Sequence, residues 1–205
     1  MPQVPGKARG FCRWGQGLAI GRPPLAVQSQ IRRQGVIVRG VTPDTIRNLL
    51  VPGEAAPDFD LPVLVGGVKK RFHLSEQLEK SCVVLAFYPV NWETVSAQQL
   101  TEYQAERERY SPRGEVVAIS VDSIMNTTVW EREIGPLDYP LCSDFWPHGE
   151  VSRSYGVFRE RQPFAGTSER AVILVNSARR VVFSKIYAPE ELPPLSETLE
   201  ALRKI

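Results

Sequence analysis

Three cysteines are the first candidates for chemistry in this chain, because a thiolate is both a nucleophile and a metal ligand. They are Cys12, Cys82 and Cys142. The chain contains no Cys-x-x-Cys pair, and neither of its two histidines stands at metal-ligand spacing from a cysteine. This odd set argues against a disulfide framework and a zinc site, and it suits a reducing compartment. We therefore predict no metal ion and no cofactor.

A serine nucleophile is the next possibility, because Ser96 stands where a helical pattern begins. Such a serine needs a base that a third group orients. The imidazoles available are those of His73 and His148, and no Gly-x-Ser-x-Gly elbow occurs. We interpret His73 as a surface residue and His148 as a residue that makes a structural hydrogen bond. Serine hydrolysis is therefore disfavoured.

The elements that must position these residues begin near Val51, where strand-like and helix-like patterns start to alternate. Residues 82–88 and 115–121 are apolar, valine-rich runs typical of central strands buried on both faces. The other predicted elements are a strand at 58–64 with a turn at Gly66-Gly67, a short helix within 72–78 capped by Ser75, helices at 96–110, 124–134 and 195–203, a loop and short helix at 145–156, and a hairpin of 171–175 with 180–186. This order predicts an α/β fold with a central mixed sheet flanked by helices.

Residues 1–50 differ in composition from the rest of the chain. They contain eight lysines and arginines and one acidic residue, Asp44, whereas residues 51–205 contain 17 basic and 22 acidic residues. We therefore divide the chain into a basic, Gly/Pro/Arg-rich N-terminal extension, 1–50, and a folded domain, 51–205. A loosely docked arm, a transit peptide and a start codon placed too early are the alternatives for the extension.

Composition also limits the partners and the location of the protein. No apolar run approaches the ~20 residues needed to span a bilayer, so we expect no transmembrane segment. Aromatic residues do not alternate with the basic residues of the extension, so we expect no specific nucleic-acid binding. We predict a cytoplasmic location, with organelle import through the extension as the alternative.

Residues 87–96 read Phe-Tyr-Pro-Val-Asn-Trp-Glu-Thr-Val-Ser. This segment resembles the active-site loop of the peroxiredoxins, the alkyl hydroperoxide reductase and thiol-specific antioxidant family, whose pattern is Pro-x-x-x-Thr/Ser-x-x-Cys entering a helix. Segments in matching order extend the resemblance over about 51–205: P-G-E-A-A-P-D-F at 52–59, S-V-D-S at 120–123, Y-P-L-C-S-D-F-W-P-H-G at 139–149, Y-G-V-F at 155–158 and E-R at 169–170. The resemblance implies a thioredoxin-like fold and, as is common in the family, a homodimer.

Four residues carry the chemistry in that family, and this chain matches two of them. Pro89 and Arg170 match, whereas Glu93 stands at the Thr/Ser position and Ser96 at the position of the peroxide-reducing cysteine. A serine hydroxyl stays protonated at neutral pH and has no sulfenic acid form. A carboxylate at position 93 would also disfavour a neighbouring anion. The resemblance therefore implies a degenerate site with no confirmed catalytic residue.

The residues of this degenerate site also have structural interpretations. Ser96-Ala97-Gln98-Gln99 matches the Ser-x-x-Gln capping box, which predicts that Ser96 caps the helix. Gln99 stands where the family commonly has glutamate, and we expect it to remove a polar partner from the site. We also predict that Glu93 forms an ion pair with Arg170, which would account for an arginine without a thiolate to activate.

The expected function is that of a peroxiredoxin homologue without thiol peroxidase activity, acting as a binding, structural or redox-associated protein with a possible protein partner. The alternative is a thiol-dependent oxidoreductase that uses another cysteine such as Cys142, although a buried thiol is more often inert. We interpret the aromatic residues Trp92, Phe145, Trp146 and Phe158 as core or dimer contacts, with a small apolar pocket or a partner surface as the alternative.

Overall fold

A computed structural model describes residues 49–205 of the chain. Cys12 and all but two residues of the predicted N-terminal extension lie outside this range, so the predictions about them stay predictions. The elements are β1 (Asp60–Val65), β2 (Val68–His73), α1 (Leu74–Leu78), β3 (Cys82–Phe87), α2 (Thr94–Ala105), α3 (Arg107–Tyr110), β4 (Gly114–Ser120), α4 (Ile124–Ile134), β5 (Leu141–Ser143), α5 (Glu150–Ser154), β6 (Phe158–Arg159), β7 (Thr167–Ser168), β8 (Arg170–Val175), β9 (Val181–Tyr187) and α6 (Leu195–Arg203).

Seven strands form one mixed sheet in the order β2-β1-β5-β4-β3-β8-β9. The three central strands β3, β4 and β5 run parallel, and every other pairing in the sheet is antiparallel. Strands β6 and β7 form a separate two-stranded sheet. The predicted mixed sheet is therefore confirmed, including the late hairpin of β8 and β9.

Strand β3 explains why the central strands are apolar throughout. Its alternate side chains enter different cores, because successive side chains of a strand point to opposite faces. Val83 and Leu85 belong to the core that also contains Tyr155, whereas Val84 and Ala86 belong to the core that contains Leu100. Since both faces of β3 are buried, its sequence shows neither the alternation of a half-buried strand nor the spacing of an amphipathic helix.

One local prediction near the first helix is wrong, and one strand was not predicted. Residues 68–73 form strand β2, which pairs with β1 through a turn at Gly66 and Gly67, whose φ angles are 53° and 75°. Helix α1 begins at Leu74, within the predicted range 72–78, but Ser75 does not cap it. Instead the Ser75 backbone N–H donates to Asp58 Oδ1 at 3.1 Å. The strand was missed because most residues of this edge strand are exposed and charged, so they show no apolar alternation.

The parallel strands place the candidate residues at one edge of the sheet. Strands β3, β4 and β5 all end at this edge, so the loops that follow them leave from the same side. Pro89 lies two residues beyond β3 and has no backbone N–H with which to continue the ladder. Helix α2 begins soon afterwards, at Thr94 rather than at the predicted position 96, and it ends at Ala105 before the short helix α3.

We predict that Leu85→Ala lowers the free energy of unfolding by about 2–5 kcal/mol, because it leaves a cavity in a fully buried strand. Urea unfolding followed by circular dichroism measures this change. Val68→Ala, at a strand position that is 54% exposed, is the control and should change stability by less than about 1 kcal/mol. Equal losses in the two variants would contradict the assignment of β3 to the centre of the core.

Candidate active site

The first turn of α2 is capped by Glu93 and not by Ser96. Glu93 is the N-cap residue, and its carboxylate accepts hydrogen bonds from the backbone N–H groups of Val95, at 2.8 Å, and Ser96, at 2.6 Å. Ser96 lies inside the first turn. The predicted Ser-x-x-Gln capping box is therefore wrong, because the helix begins earlier and a carboxylate already satisfies its first N–H groups.

One oxygen of Glu93 connects the helix to the distant strand β8. Glu93 Oε2 accepts from Ser96 Oγ at 2.8 Å and from Arg170 Nη2 at 2.8 Å, in addition to the Ser96 backbone N–H. The predicted ion pair between Glu93 and Arg170 is confirmed. The Ser96 hydroxyl and the guanidinium thus lie at equal distances from the same carboxylate oxygen.

Arg170 is fully buried at the start of β8, and its donors are held by three groups. Nε and Nη2 donate to the Pro189 carbonyl at 3.1 and 2.9 Å, and Nη1 donates to Gln99 Oε1 at 2.7 Å. The expectation that Gln99 removes a polar partner is wrong, because its amide oxygen accepts as a carboxylate would. The sequence analysis missed Pro189, since a backbone carbonyl leaves no signal in side-chain types.

These contacts fix the charge state of the pair. Burial alone raises the pKa of Glu93, but the hydrogen bonds from Val95, Ser96 and Arg170 outweigh it, so the pKa lies below its ordinary value. Burial lowers the pKa of Arg170, and the Glu93 carboxylate opposes that shift. Glu93 is therefore an anion at neutral pH and occupies the position where a helix N-terminus and a guanidinium would stabilise one.

Ser96 and Pro89 are both buried, Ser96 with no exposed surface. The two histidines contact other parts of the protein. His73 lies 3.4 Å from Asp60 Oδ1 at the edge of the sheet, and His148 Nε2 is bonded to the Gly166 carbonyl at 2.7 Å. The expected structural hydrogen bond of His148 is confirmed. Ser96 has a carboxylate of lowered pKa as its partner, which is a weak base, so this arrangement does not activate a serine nucleophile.

Two of the three cysteines lie in the part of the chain that the structure describes, both of them in strands. Cys142 lies in β5 with 1% of its surface exposed, and Cys82 is partly buried at the start of β3. Burial raises the pKa of the Cys142 thiol well above its ordinary value, and the nearby charge of Asp144 raises it further. Since the thiolate is the reactive form, both the burial of Cys142 and the raised pKa of its thiol disfavour reaction at neutral pH.

Exposed apolar side chains surround the same edge of the sheet. Trp146 is 80% exposed, Trp92 55% and Phe145 51%. Of the two interpretations given for these three residues, core or dimer contacts, the core is therefore wrong. Trp92 Nε1 donates to Asn126 Oδ1 at 2.8 Å, which places its ring beside α4. Phe158 is partly buried beneath the Arg153 guanidinium, which lies 3.4 Å from the centroid of the phenylalanine ring.

Two apolar side chains of α4, Met125 and Val129, are exposed as well. We call Trp92, Met125, Val129, Phe145 and Trp146 the apolar edge.

Comparison with known proteins decides the family. The sequence profile of the AhpC/TSA family matches residues 52–184, well over half of the chain. The chain belongs to the AhpC/TSA family. Two AhpC/TSA relatives are alkyl hydroperoxide reductase E of Mycobacterium tuberculosis, 31% identical over 111 residues (54% of this chain, 70% of the relative), and the chloroplastic 2-Cys peroxiredoxin of Hordeum vulgare, 27% identical over 165 residues (77% and 76%).

Solved structures support the same AhpC/TSA fold. The Enterococcus faecalis AhpC superimposes with a TM-score of 0.69 at 22% identity, covering 76% of this chain and 92% of that one. The reduced 2-Cys peroxiredoxin of Plasmodium vivax gives a TM-score of 0.68 at 21% identity, covering 74% and 80%. The predicted thioredoxin-like α/β fold is therefore confirmed.

Two further observations concern the part of the AhpC/TSA chain from residue 49 onwards. None of its helices is long and apolar enough to cross a membrane. It also contains no group of three or more His, Cys, Asp or Glu side chains arranged to hold a metal ion.

We predict that Glu93→Gln lowers the free energy of unfolding at pH 7 by about 2 kcal/mol, because it removes the charge that the Arg170 guanidinium and two helix N–H groups bind. Because the folded-state pKa of Glu93 is lowered, the stabilisation is complete above its unfolded pKa and is lost as the pH falls through the folded value. Urea unfolding at pH 7 and at about pH 3 should therefore show a smaller difference at the lower pH.

The matched control is Glu200→Gln, since Glu200 pairs with Lys204 on the surface of α6 at side-chain exposures of 68% and 71%. A surface pair of this kind contributes little to stability. We expect Glu200→Gln to change the free energy of unfolding little at either pH. A Glu93→Gln protein as stable as the unmodified one at pH 7 would show that the contact with Arg170 does not stabilise the fold.

Proposed function

We propose that this AhpC/TSA protein does not reduce peroxides by the thiol mechanism of its family and acts instead through binding. The observation that carries the proposal is the contact of Glu93 with both Ser96 and Arg170. Peroxide reduction needs a thiolate at the start of the helix, beside a positive charge. Here a hydroxyl stands at the proposed cysteine position, and a carboxylate already accepts from the arginine.

The electrostatics of the site support this proposal independently of Ser96. A thiolate introduced at position 96 would lie beside the Glu93 carboxylate, and like charges at hydrogen-bond distance disfavour a second anion. Arg170 directs Nη2 toward Glu93 Oε2 and Nη1 toward Gln99, so its donors are engaged. Two changes would therefore be needed to restore a reactive thiolate.

A thiol-dependent oxidoreductase using Cys142 remains the second candidate, since two cysteines of the described domain are not in disulfides. Access of peroxide to this thiol counts against the second candidate, because strand β5, which contains Cys142, lies between β1 and β4. Burial also raises the pKa of the thiol. Mass spectrometry after peroxide treatment distinguishes the two candidates. Oxidation of Cys142 faster than that of a small model thiol would favour the second.

We predict negligible peroxide turnover by the unmodified protein with dithiothreitol or thioredoxin as reductant, and partial recovery in the Ser96→Cys, Glu93→Thr double variant. In the double variant the thiolate would attack one oxygen of hydrogen peroxide, the O–O bond would break, and the second oxygen would leave as hydroxide and be protonated to water. Dithiothreitol would then reduce the sulfenic acid to the thiol and release a second water, and would itself be oxidised to its cyclic disulfide. Hydrogen peroxide consumption is the measurement.

The single variant Ser96→Cys is the matched control. It retains the Glu93 carboxylate and should be at least about tenfold slower than the double variant, because each unit by which the thiol pKa rises reduces the thiolate fraction about tenfold. A rate for the unmodified protein close to that of an active AhpC assayed in parallel would overturn the proposal.

We further propose that the apolar edge is a contact surface between two copies of this chain. Its residues come from three different loops or helices at one edge of the sheet, and their exposure is unusual for large apolar side chains. Aromatic residues and methionine are enriched at the centres of protein interfaces. A homodimer covering this edge would remove these side chains from water.

We predict that the full-length protein sediments as a dimer at micromolar concentration, and that Met125→Lys with Val129→Lys raises the concentration needed for dimerisation at least tenfold, because a buried unpaired charge is costly. Analytical ultracentrifugation measures this. Val51→Lys, at an apolar residue that is 51% exposed outside the apolar edge, is the control and should leave the dimer intact. A monomer at every concentration would contradict the proposal.

The cytoplasmic location and the role of the N-terminal extension stay predictions. Some matched relatives are named as chloroplastic, which is compatible with import as the alternative. Comparing the location of fluorescently tagged full-length protein with that of residues 51–205 tests whether the extension directs import.

A further inference from the structure

The guanidinium of Arg170 is held by two side chains that differ in charge. Nη2 donates to the Glu93 carboxylate at 2.8 Å, and Nη1 donates to the neutral amide oxygen of Gln99 at 2.7 Å. Arg170 and Gln99 are each only 1% exposed, and the side chain of Glu93 is 20% exposed. These three side chains together carry one positive and one negative charge, because position 99 contributes none.

The amide of Gln99 is only half satisfied by its surroundings. Its oxygen accepts from Arg170, but its nitrogen, Nε2, is buried and has no hydrogen-bond partner within residues 49–205. A buried donor without a partner is unfavourable, because it has lost its hydrogen bonds to water. A carboxylate at this position would have only acceptors and would leave no such donor. Hydrogen bonding alone would therefore favour a carboxylate at position 99, and what glutamine contributes instead is neutrality.

A carboxylate at position 99 would have to share Arg170 with Glu93. Two further titratable groups act on the guanidinium, Glu190 and Tyr103. Glu190 is an exposed acid, and burial raises the pKa of Tyr103, so its hydroxyl stays protonated at neutral pH. Neither group supplies a second positive charge. When two carboxylates share one buried guanidinium, their repulsion favours the protonated form of one of them.

We propose that Gln99 is the positioning residue that reserves the Arg170 guanidinium for Glu93. The buried arginine accepts one carboxylate, and the neutral side chain at position 99 decides that this carboxylate comes from position 93. There it also caps α2 and accepts from the Ser96 hydroxyl. The proposal goes beyond the proposed function, since it concerns which residue supplies the anion beside Ser96 and holds whether or not the protein binds a partner.

The test moves the carboxylate between the two positions in the full-length chain and measures urea unfolding at pH 7. Gln99→Glu should lower the urea midpoint of the otherwise unmodified protein, where Glu93 already pairs with Arg170. The same substitution should raise the midpoint of the Glu93→Gln protein, where it returns one carboxylate to the arginine. Each shift should be at least about 0.5 M, roughly a fivefold change in the unfolding equilibrium constant. Shifts of the same sign in both proteins would overturn the proposal, whichever sign they have.

The pH dependence separates the effect of charge from that of packing. In Gln99→Glu the two carboxylates should retain a proton, so the pKa of the folded pair lies above the unfolded value. The resulting stabilisation is present below the unfolded pKa and is lost as the pH rises through the folded pKa. Between about pH 4 and pH 7 the urea midpoint of this variant should therefore fall relative to that of the unmodified protein.

The matched control is Gln98→Glu, which adds the same charge at the preceding, exposed position of α2 and should show no such fall. A fall of equal size in Gln98→Glu would assign the effect to the charge of the helix as a whole and would contradict the proposal. A Gln99→Glu protein that does not fold at pH 7 should fold once Glu93→Gln is added. Failure of that double variant to fold would show that position 99 excludes a carboxylate through packing, and the proposal would be wrong.

Discussion

The buried guanidinium of Arg170 is the constraint on which the candidate site depends. A charge without solvent contact is stable only if it is paired and its donors are satisfied. Glu93, Gln99 and the Pro189 carbonyl meet this requirement. These three groups come from the start of a helix, its second turn and the segment after the last strand, so one side chain fixes the relative positions of three parts of the chain.

The same arrangement explains how an arginine can remain without a thiolate. A helix N-terminus and a guanidinium together stabilise an anion, whatever its chemical identity. In this protein the anion is the chain's own carboxylate, which also caps the helix. Ser96 completes the arrangement as a hydrogen-bond donor and not as a nucleophile. The positive site is therefore occupied by a carboxylate of the same chain.

The sheet provides the rigid frame for this local chemistry. Its parallel central strands are buried on both faces and bring three loops to one edge, where the ion pair and the apolar edge lie close in the fold.

The sequence alone determined the α/β fold, two central strands that are buried on both faces and the residue types of the candidate site, because apolar runs and short motifs are local in the chain. It also correctly predicted the contact of Glu93 with Arg170, since opposite charges at matched motif positions favour pairing. Only the tertiary structure decided that Glu93 caps the helix in place of Ser96, that Gln99 supports the arginine, and that three of the aromatic residues are exposed. These features depend on residues distant in sequence, such as Pro189, and on which surfaces the fold covers, and neither is encoded in local spacing.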